Sequence, residues 1–209
     1  MHQHSCASRR ATALWNSAPL LRKQNMDTAA SLFESALAWL KVGYGNFLFF
    51  QERYIVWTLH LYLLRTIEEM HLSYNVYSGH RMTIAKQISA DLVILTEGGI
   101  VDVVAEFKYE PSHRRTDLVA PNAKPKWPVV EWKAVEADVV RVKGFVTDGS
   151  ARTAYALFVD EGGYFRWRQP PPGSEWRDWP PSDPTQPPVS ILWSQVETHA
   201  PSLTLHQAG

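Results

Sequence analysis

The hydrophobic pattern along the chain changes period several times, and each change marks an element. From Asp27 the stretch DTAASLFESALAWL carries apolar residues at helical spacing behind a residue suited to capping, which predicts a short helix. Residues 1–26 show no sustained period and are expected to form a flexible arm. Gly43 and Gly45 interrupt the pattern between Lys41 and Asn46, and a longer helix is expected over Phe47 to Met70, a stretch rich in Leu and free of Gly and Pro. LSYNVYS and TIAKQ suggest two short extended pieces. ADLVILT and IVDVVAEFK, on either side of Glu97-Gly98-Gly99, predict two strands joined as a hairpin.

Residues 111 to 128 are basic and proline-rich and read as a long loop, followed by a helix from about Val130 to Val146. TAYALFVDE and YFRWRQ flank Gly162-Gly163, the signal of a second hairpin. Eight of the fourteen prolines lie between Pro170 and Pro188, which predicts a stiff linker before VSILW offers one more strand. This order implies an α/β fold with a mixed central sheet flanked by helices. The domain is placed at 27–169, with a Pro/Trp-rich extension at 170–209.

Charged residues inside the first hairpin change the picture. With Gly98-Gly99 as a two-residue turn, Asp91 falls directly opposite Glu106, and Lys108, two residues on, shares their face. The other face then carries Leu92, Ile94, Val101, Val103, Ala105 and Phe107, all apolar. A loop of odd length would shift this register by one and need a bulge to bring Asp91 back. Two carboxylates held so close need a shared proton or a cation between them. Their hard oxygen atoms suit Mg²⁺, with Mn²⁺ as a substitute, and a neighbouring lysine can stabilise charge on a phosphate oxygen. The alternative left open is that Lys108 simply neutralises Asp91 and Glu106 at the strand ends.

Asp91 followed by Glu106-Phe107-Lys108 at the end of the next strand resembles the PD-(D/E)XK nuclease superfamily, over roughly residues 28 to 160. Ser89-Ala90 stands where that family often has a proline. The resemblance implies a restriction-endonuclease-like αβββαβ core, with Asp91 and Glu106 as metal ligands and Lys108 as the catalytic lysine. It also implies a glutamate on the first helix that completes the metal site, and Glu52 matches. Leu48, Glu52, Ile55, Leu59 and Leu63 follow one another at helical spacing, so Glu52 sits on an apolar face where a lone carboxylate needs a partner. Glu34 is the fallback. The activity so implied is divalent-metal-dependent hydrolysis of nucleic acid, DNA in preference to RNA, in defence or mobile-element biology. A catalytically silent module of the same fold, binding nucleic acid or a protein, is the alternative.

Overall charge does not identify a partner, since Lys plus Arg equals Asp plus Glu at 21 each. A local basic surface is expected from Arg114, Arg115, Lys124, Lys126, Lys133, Arg141 and Lys143, with Trp127 and Trp132 placed to stack on bases or to pack against the body. A chain of this size suggests a homodimer or a component of a larger assembly. The single cysteine, Cys6, excludes an internal disulfide framework and fits a cytoplasmic setting. No stretch reads as a membrane span, because Glu52, Arg53, His60 and Arg65 break the most apolar one. His2 and His4 are read as incidental rather than as metal ligands.

Overall fold

The computed structural model describes residues 28–82, 88–115, 127–180 and 189–198. The 1–26 arm, TIAKQ, Lys124, Lys126 and the residues Asp27, His2, His4 and Cys6 lie outside these. Helix α1, Ala29–Gly43, begins at Thr28, not Asp27: the Thr28 hydroxyl accepts from the Ser31 amide at 3.1 Å and the Ser31 hydroxyl accepts from the Thr28 amide at 3.3 Å. This reciprocal cap satisfies two amides that the first helical turn leaves without partners. A 3₁₀ turn, Tyr44–Asn46, ends the element where the glycines fall. Helix α2, Glu52–Met70, starts five residues later than the leucine pattern suggests, so Leu48 lies outside it and is exposed. His71 closes α2 in the left-handed conformation, with its amide on Glu68 O and the Leu72 amide on Ile67 O.

Strands β1 (Tyr74–Arg81), β2 (Ser89–Thr96) and β3 (Val101–Glu110) form an antiparallel meander. Helix α3, Trp132–Thr147, then crosses over to β4, Thr153–Asp160, which runs parallel to β3. Strands β5 (Ser174–Trp179) and β6 (Val189–Glu197) complete a six-stranded mixed sheet in the order β1-β2-β3-β4-β6-β5. The architecture is thus α/β, with three α-helices among the described residues. No helix there is long and apolar enough to cross a membrane.

Helices α1 and α2 cover one face of the sheet. Phe33, fully buried, packs on Tyr155 at 4.7 Å and Phe107 at 6.5 Å between ring centroids, within a cluster that includes Leu92, Ile94, Val103 and Ala105. Burial of one such ring stabilises the fold by about 1.5–3 kcal/mol. Helix α3 covers the other face through Val139, Val142 and Phe145 against Val93, Val104 and Ala156. With both faces covered, β4 is buried at all eight positions, the reason it reads as a continuous apolar run.

Three expectations need correction. YFRWRQ forms turns rather than a strand, because the Asp160 carboxylate draws the Tyr164 and Phe165 amides into a turn at 2.9 and 2.6 Å. The place beside β4 is taken by β6. The 170–188 stretch contains the edge strand β5, with Trp179 buried against Tyr44 and the half-buried Trp176 stacked on Trp132, so the sheet continues past residue 169. The hairpin loop has three residues, not two: the Thr96 amide donates to Ile100 O and the Gly99 amide to Thr96 O, each at 2.9 Å.

An odd loop misaligns the strands by one, and a bulge corrects it. Leu95 pairs with Val101 while Ile94 pairs with Val103, so Asp102 is the extra residue. From Ile94 onward the register returns to the one that sets Asp91 against Glu106. Val101, on the turn side of the bulge, is flipped to the α3 face instead of joining Leu92. Gly99 closes the loop at φ +77°, where a side chain is strained. Gly99→Ala is therefore expected to lower the free energy of unfolding by about 1–2 kcal/mol in urea titration without changing the midpoint slope.

Candidate functional site

Alternation along β3 places Val104, Glu106 and Lys108 on the α3 face, over Ala154, Ala156 and Phe158 of β4. At this end of the sheet β2 starts and its backbone ladder with β3 stops at Leu92. Asp91 fills the gap with its side chain: Oδ2 accepts the Phe107 amide at 2.7 Å. Asp91 and Glu106 thus stand side by side, as the register requires. Glu106 is 2% exposed.

Helix α3 brings in two residues three positions apart on one face, Asp138 and Arg141. Arg141 Nη1 lies 3.3 Å from Glu106 Oε1 and 3.1 Å from Asp138 Oδ1. Lys108 Nζ lies 3.0 Å from Asp138 Oδ2 and 3.4 Å from Glu52 Oε2, at the start of α2, and donates to the Phe107 carbonyl at 2.8 Å. Four carboxylates and two cations therefore form one cluster. Glu106 Oε1 and Asp138 Oδ2 are buried and have charge partners at these distances but no directed hydrogen bond, so both retain acceptor capacity.

Burial, with crowding of like charges added to it, shifts the acids upward. Glu52 is raised to about 7, chiefly by burial, with Lys108 opposing and Asp91 adding to the rise. Glu106 is raised to about 8 by burial and by Asp91, with Arg141 opposing. Asp91 also rises through burial, against the pull of the Phe107 amide and Lys108. Burial works against the charge on Lys108, yet Asp138, Glu52 and Asp91 outweigh it and leave its pKa raised.

Among the described residues no three His, Cys, Asp or Glu side chains converge as a metal cage. The donor set still suits a hard ion of low protein coordination: Asp91 and Glu106 offer two carboxylates, the number with which Mg²⁺ is commonly held while water and a substrate phosphate fill its remaining positions. Glu52, on the far side of Lys108, is the third oxygen donor in the neighbourhood. Beside it opens a cleft of about 500 Å³ with Glu52, Lys108, Phe50, Pro111, Val129 and Val130 among its walls.

The remaining residues singled out from sequence fall in several places. Glu34 is on α1, on the other face of the sheet, where it accepts from the Tyr155 hydroxyl at 2.9 Å; it is not near Asp91. Of the basic residues, Arg114 and Lys133 are exposed. Arg141 belongs to the carboxylate cluster, Arg115 donates to Phe49 O at 2.6 Å and pairs with Glu161, and Lys143 donates to Pro172 O. Trp127 stacks on His113 at 4.6 Å, and Trp132 packs against Phe165 at 5.8 Å, so Trp132 serves the core.

Asp138 was not singled out, although a signal was present. Val135, Asp138, Val142 and Phe145 follow at spacings of three, four and three, so Asp138 interrupts an apolar stripe just as Glu52 does. Glu110 and Asp160, also fully buried, are different in kind. Glu110 accepts the Val129 and Val130 amides and pairs with His113, so it anchors the loops leaving the parallel strands. No family model, curated protein or solved structure matches this chain.

The raised acids make stability depend on pH in a definite direction. Acids whose folded pKa lies above the unfolded value of 4.5 stabilise the fold fully below that pH, and the contribution is lost as pH rises through about 7 for Glu52 and about 8 for Glu106. In chelator-treated protein the melting temperature is expected to fall between pH 5 and pH 8.5. Glu106→Gln, which removes one of the crowded charges, should flatten that slope in the same thermal scans.

Proposed function

We propose that this chain is a divalent-metal-dependent nuclease of the PD-(D/E)XK type, built on a restriction-endonuclease-like core, which hydrolyses phosphodiester bonds in DNA. The reading is supported above all by one juxtaposition: Asp91 and Glu106 side by side at the open end of β2 and β3, with Lys108 two residues further on the same face. The helix, three-strand, helix, strand order from α2 to β4 is the one that the resemblance implies. A role in defence or mobile-element biology follows only from the same resemblance.

Asp91 and Glu106 are the residues to hold Mg²⁺, with Glu52 assisting. A bound ion supplies polarisation of the phosphate and a more acidic water. The protein's own part is charge management. Lys108 is positioned by Asp138 and Glu52, and exchanging the Asp138 contact for a phosphate oxygen places its positive charge where negative charge builds in the transition state. Arg141 stands between Glu106 and Asp138, and its guanidinium opposes the rise of Glu106. Glu52, raised to about 7, is poised to take a proton near neutral pH from a water in the cleft.

One observation favours a second reading. Lys108 and Arg141 already pair with Glu52, Asp138 and Glu106, the kind of ion-pair set that a silent module binding nucleic acid or a protein could keep.

Cleavage assays decide between them. With Mg²⁺ and plasmid or single-stranded DNA, Asp91→Ala and Lys108→Ala are each expected to lower the cleavage rate by at least about 100-fold, while Glu34→Ala leaves it unchanged. Equal cleavage by wild type and Asp91→Ala in nuclease-free preparations contradicts the nuclease reading.

A further inference from the structure

The cleft beside Glu52 lies where α2 and α3 begin and where β3 ends, and its walls divide by chemistry. Phe49 and Val130 are buried, whereas their neighbours Phe50 and Val129 stay 45 and 60% exposed where they line the cleft. Pro111 adds a third apolar wall. The Phe50 ring is held in place. Tyr54 meets it edge-on with ring centroids 6.4 Å apart, and the guanidinium carbon of Arg115, itself anchored on Phe49 O, stands 5.3 Å from its centroid. A ring fixed in this way yet left open is a preformed contact surface.

The charges that line the cleft exclude one class of occupant. A groove that follows a nucleic-acid backbone is lined by Lys and Arg. Among the described residues that line this one, Lys108 is the one cation, while Glu52 and Glu131 are acidic. An uncharged, flat group therefore fits the apolar walls better than a row of phosphates. Lys108 and Glu52 belong both to the cleft and to the carboxylate cluster, so a group in the cleft lies next to whatever Asp91 and Glu106 hold. We propose that the cleft takes one unpaired nucleobase, stacked on Phe50, from the nucleotide next to the scissile phosphate, and that the substrate is accordingly single-stranded DNA. This rests on the reading of Asp91, Glu106 and Lys108 as the place of that phosphate.

Size and edge chemistry agree with a single base. A volume of about 500 Å³ is in the range of sites that enclose one small ligand, and a duplex does not enter it. Within a duplex each base is covered on both faces by its neighbours and on its edge by its partner. It reaches such a cleft only by leaving the stack, a cost that a single strand largely avoids. Two more lining residues, Gln51 and Glu131, hold the N-cap positions of α2 and α3, yet neither side chain caps its helix. An amide that donates and accepts, together with a carboxylate that accepts, suits the hydrogen-bonding edge of a base. A phosphate oxygen offers the carboxylate no hydrogen.

Fluorescence anisotropy of the full chain tests the proposal with three labelled probes of about twelve nucleotides: a single strand, a strand of the same length whose sugars carry no bases, and a duplex. Binding is read in Ca²⁺, a hard cation that fills oxygen sites, and cleavage separately in Mg²⁺. The base-bearing single strand is expected to bind at least about tenfold more tightly than either other probe. Phe50→Ala should weaken that binding at least about fivefold, with the base-free strand and the melting temperature unaffected, and Phe50→Trp should retain it. Equal affinity for base-bearing and base-free strands overturns the proposal, as does tighter binding of the duplex or no binding of any probe. Single-strand binding that ignores Phe50→Ala also overturns it, the result expected if another segment of the chain fills the cleft. Base-dependent, Phe50-dependent binding without cleavage supports the cleft assignment and contradicts the nuclease reading alone. Cleavage of duplex and single strand at equal rates, insensitive to Phe50→Ala, does the reverse.

Discussion

Four carboxylates, Asp91, Glu106, Asp138 and Glu52, crowd one end of the sheet, and they can stand together only with protons or positive charge between them. Lys108 and Arg141 supply it. Each bridges two acids: Lys108 joins the start of α2 to α3, and Arg141 joins β3 to α3. The cluster therefore ties three elements together at the open end of the β2–β3 pair. Its charges are close to balance but not balanced, since four acids face two bases. Burial raises Glu52, Glu106 and Asp91 and the neighbouring carboxylates add to the rise, and the unbalanced acids are the physical ground for expecting a further cation.

The backbone delivers this cluster through a compensated irregularity. A three-residue hairpin loop shifts the strands by one position, and the bulge at Asp102 shifts them back before the pairing reaches Asp91. Arg152 pairs with the bulged Asp102 at 2.8 Å, fixing it near the start of β4. Beyond Leu92 the ladder opens, and the Asp91 carboxylate takes over as acceptor for the Phe107 amide. The site thus exists where strand pairing ends, which leaves side chains rather than backbone to satisfy β3.

Much of this was legible in the residues. Period-two and apolar runs located β2, β3 and β4, and the alternation that keeps Leu92, Ile94 and Phe107 on one face placed Asp91, Glu106 and Lys108 on the other. The register was reached through a wrong turn length, because a sequence does not distinguish an even loop from an odd loop with a bulge. Local pattern also misled at YFRWRQ, where Asp160 captures two amides and makes a turn, and in the proline-rich tail, where β5 pairs along an edge that tolerates such neighbours. Asp138 was accessible to the same stripe argument as Glu52. Its role depends on the distance between α3 and β3, a tertiary quantity that spacing along one helix does not contain.

The central claim is that the excess negative charge at Asp91 and Glu106 marks a place for a divalent cation. Calorimetric titration of Mg²⁺ and Mn²⁺ into the full chain at pH 7, repeated in buffers of different ionisation enthalpy, tests it most directly. The account predicts binding accompanied by proton release, since acids raised to about 7 and about 8 are partly protonated there, with both the affinity and the release lost in Asp91→Ala. No binding with or without added DNA, or binding that Asp91→Ala leaves intact, would contradict it.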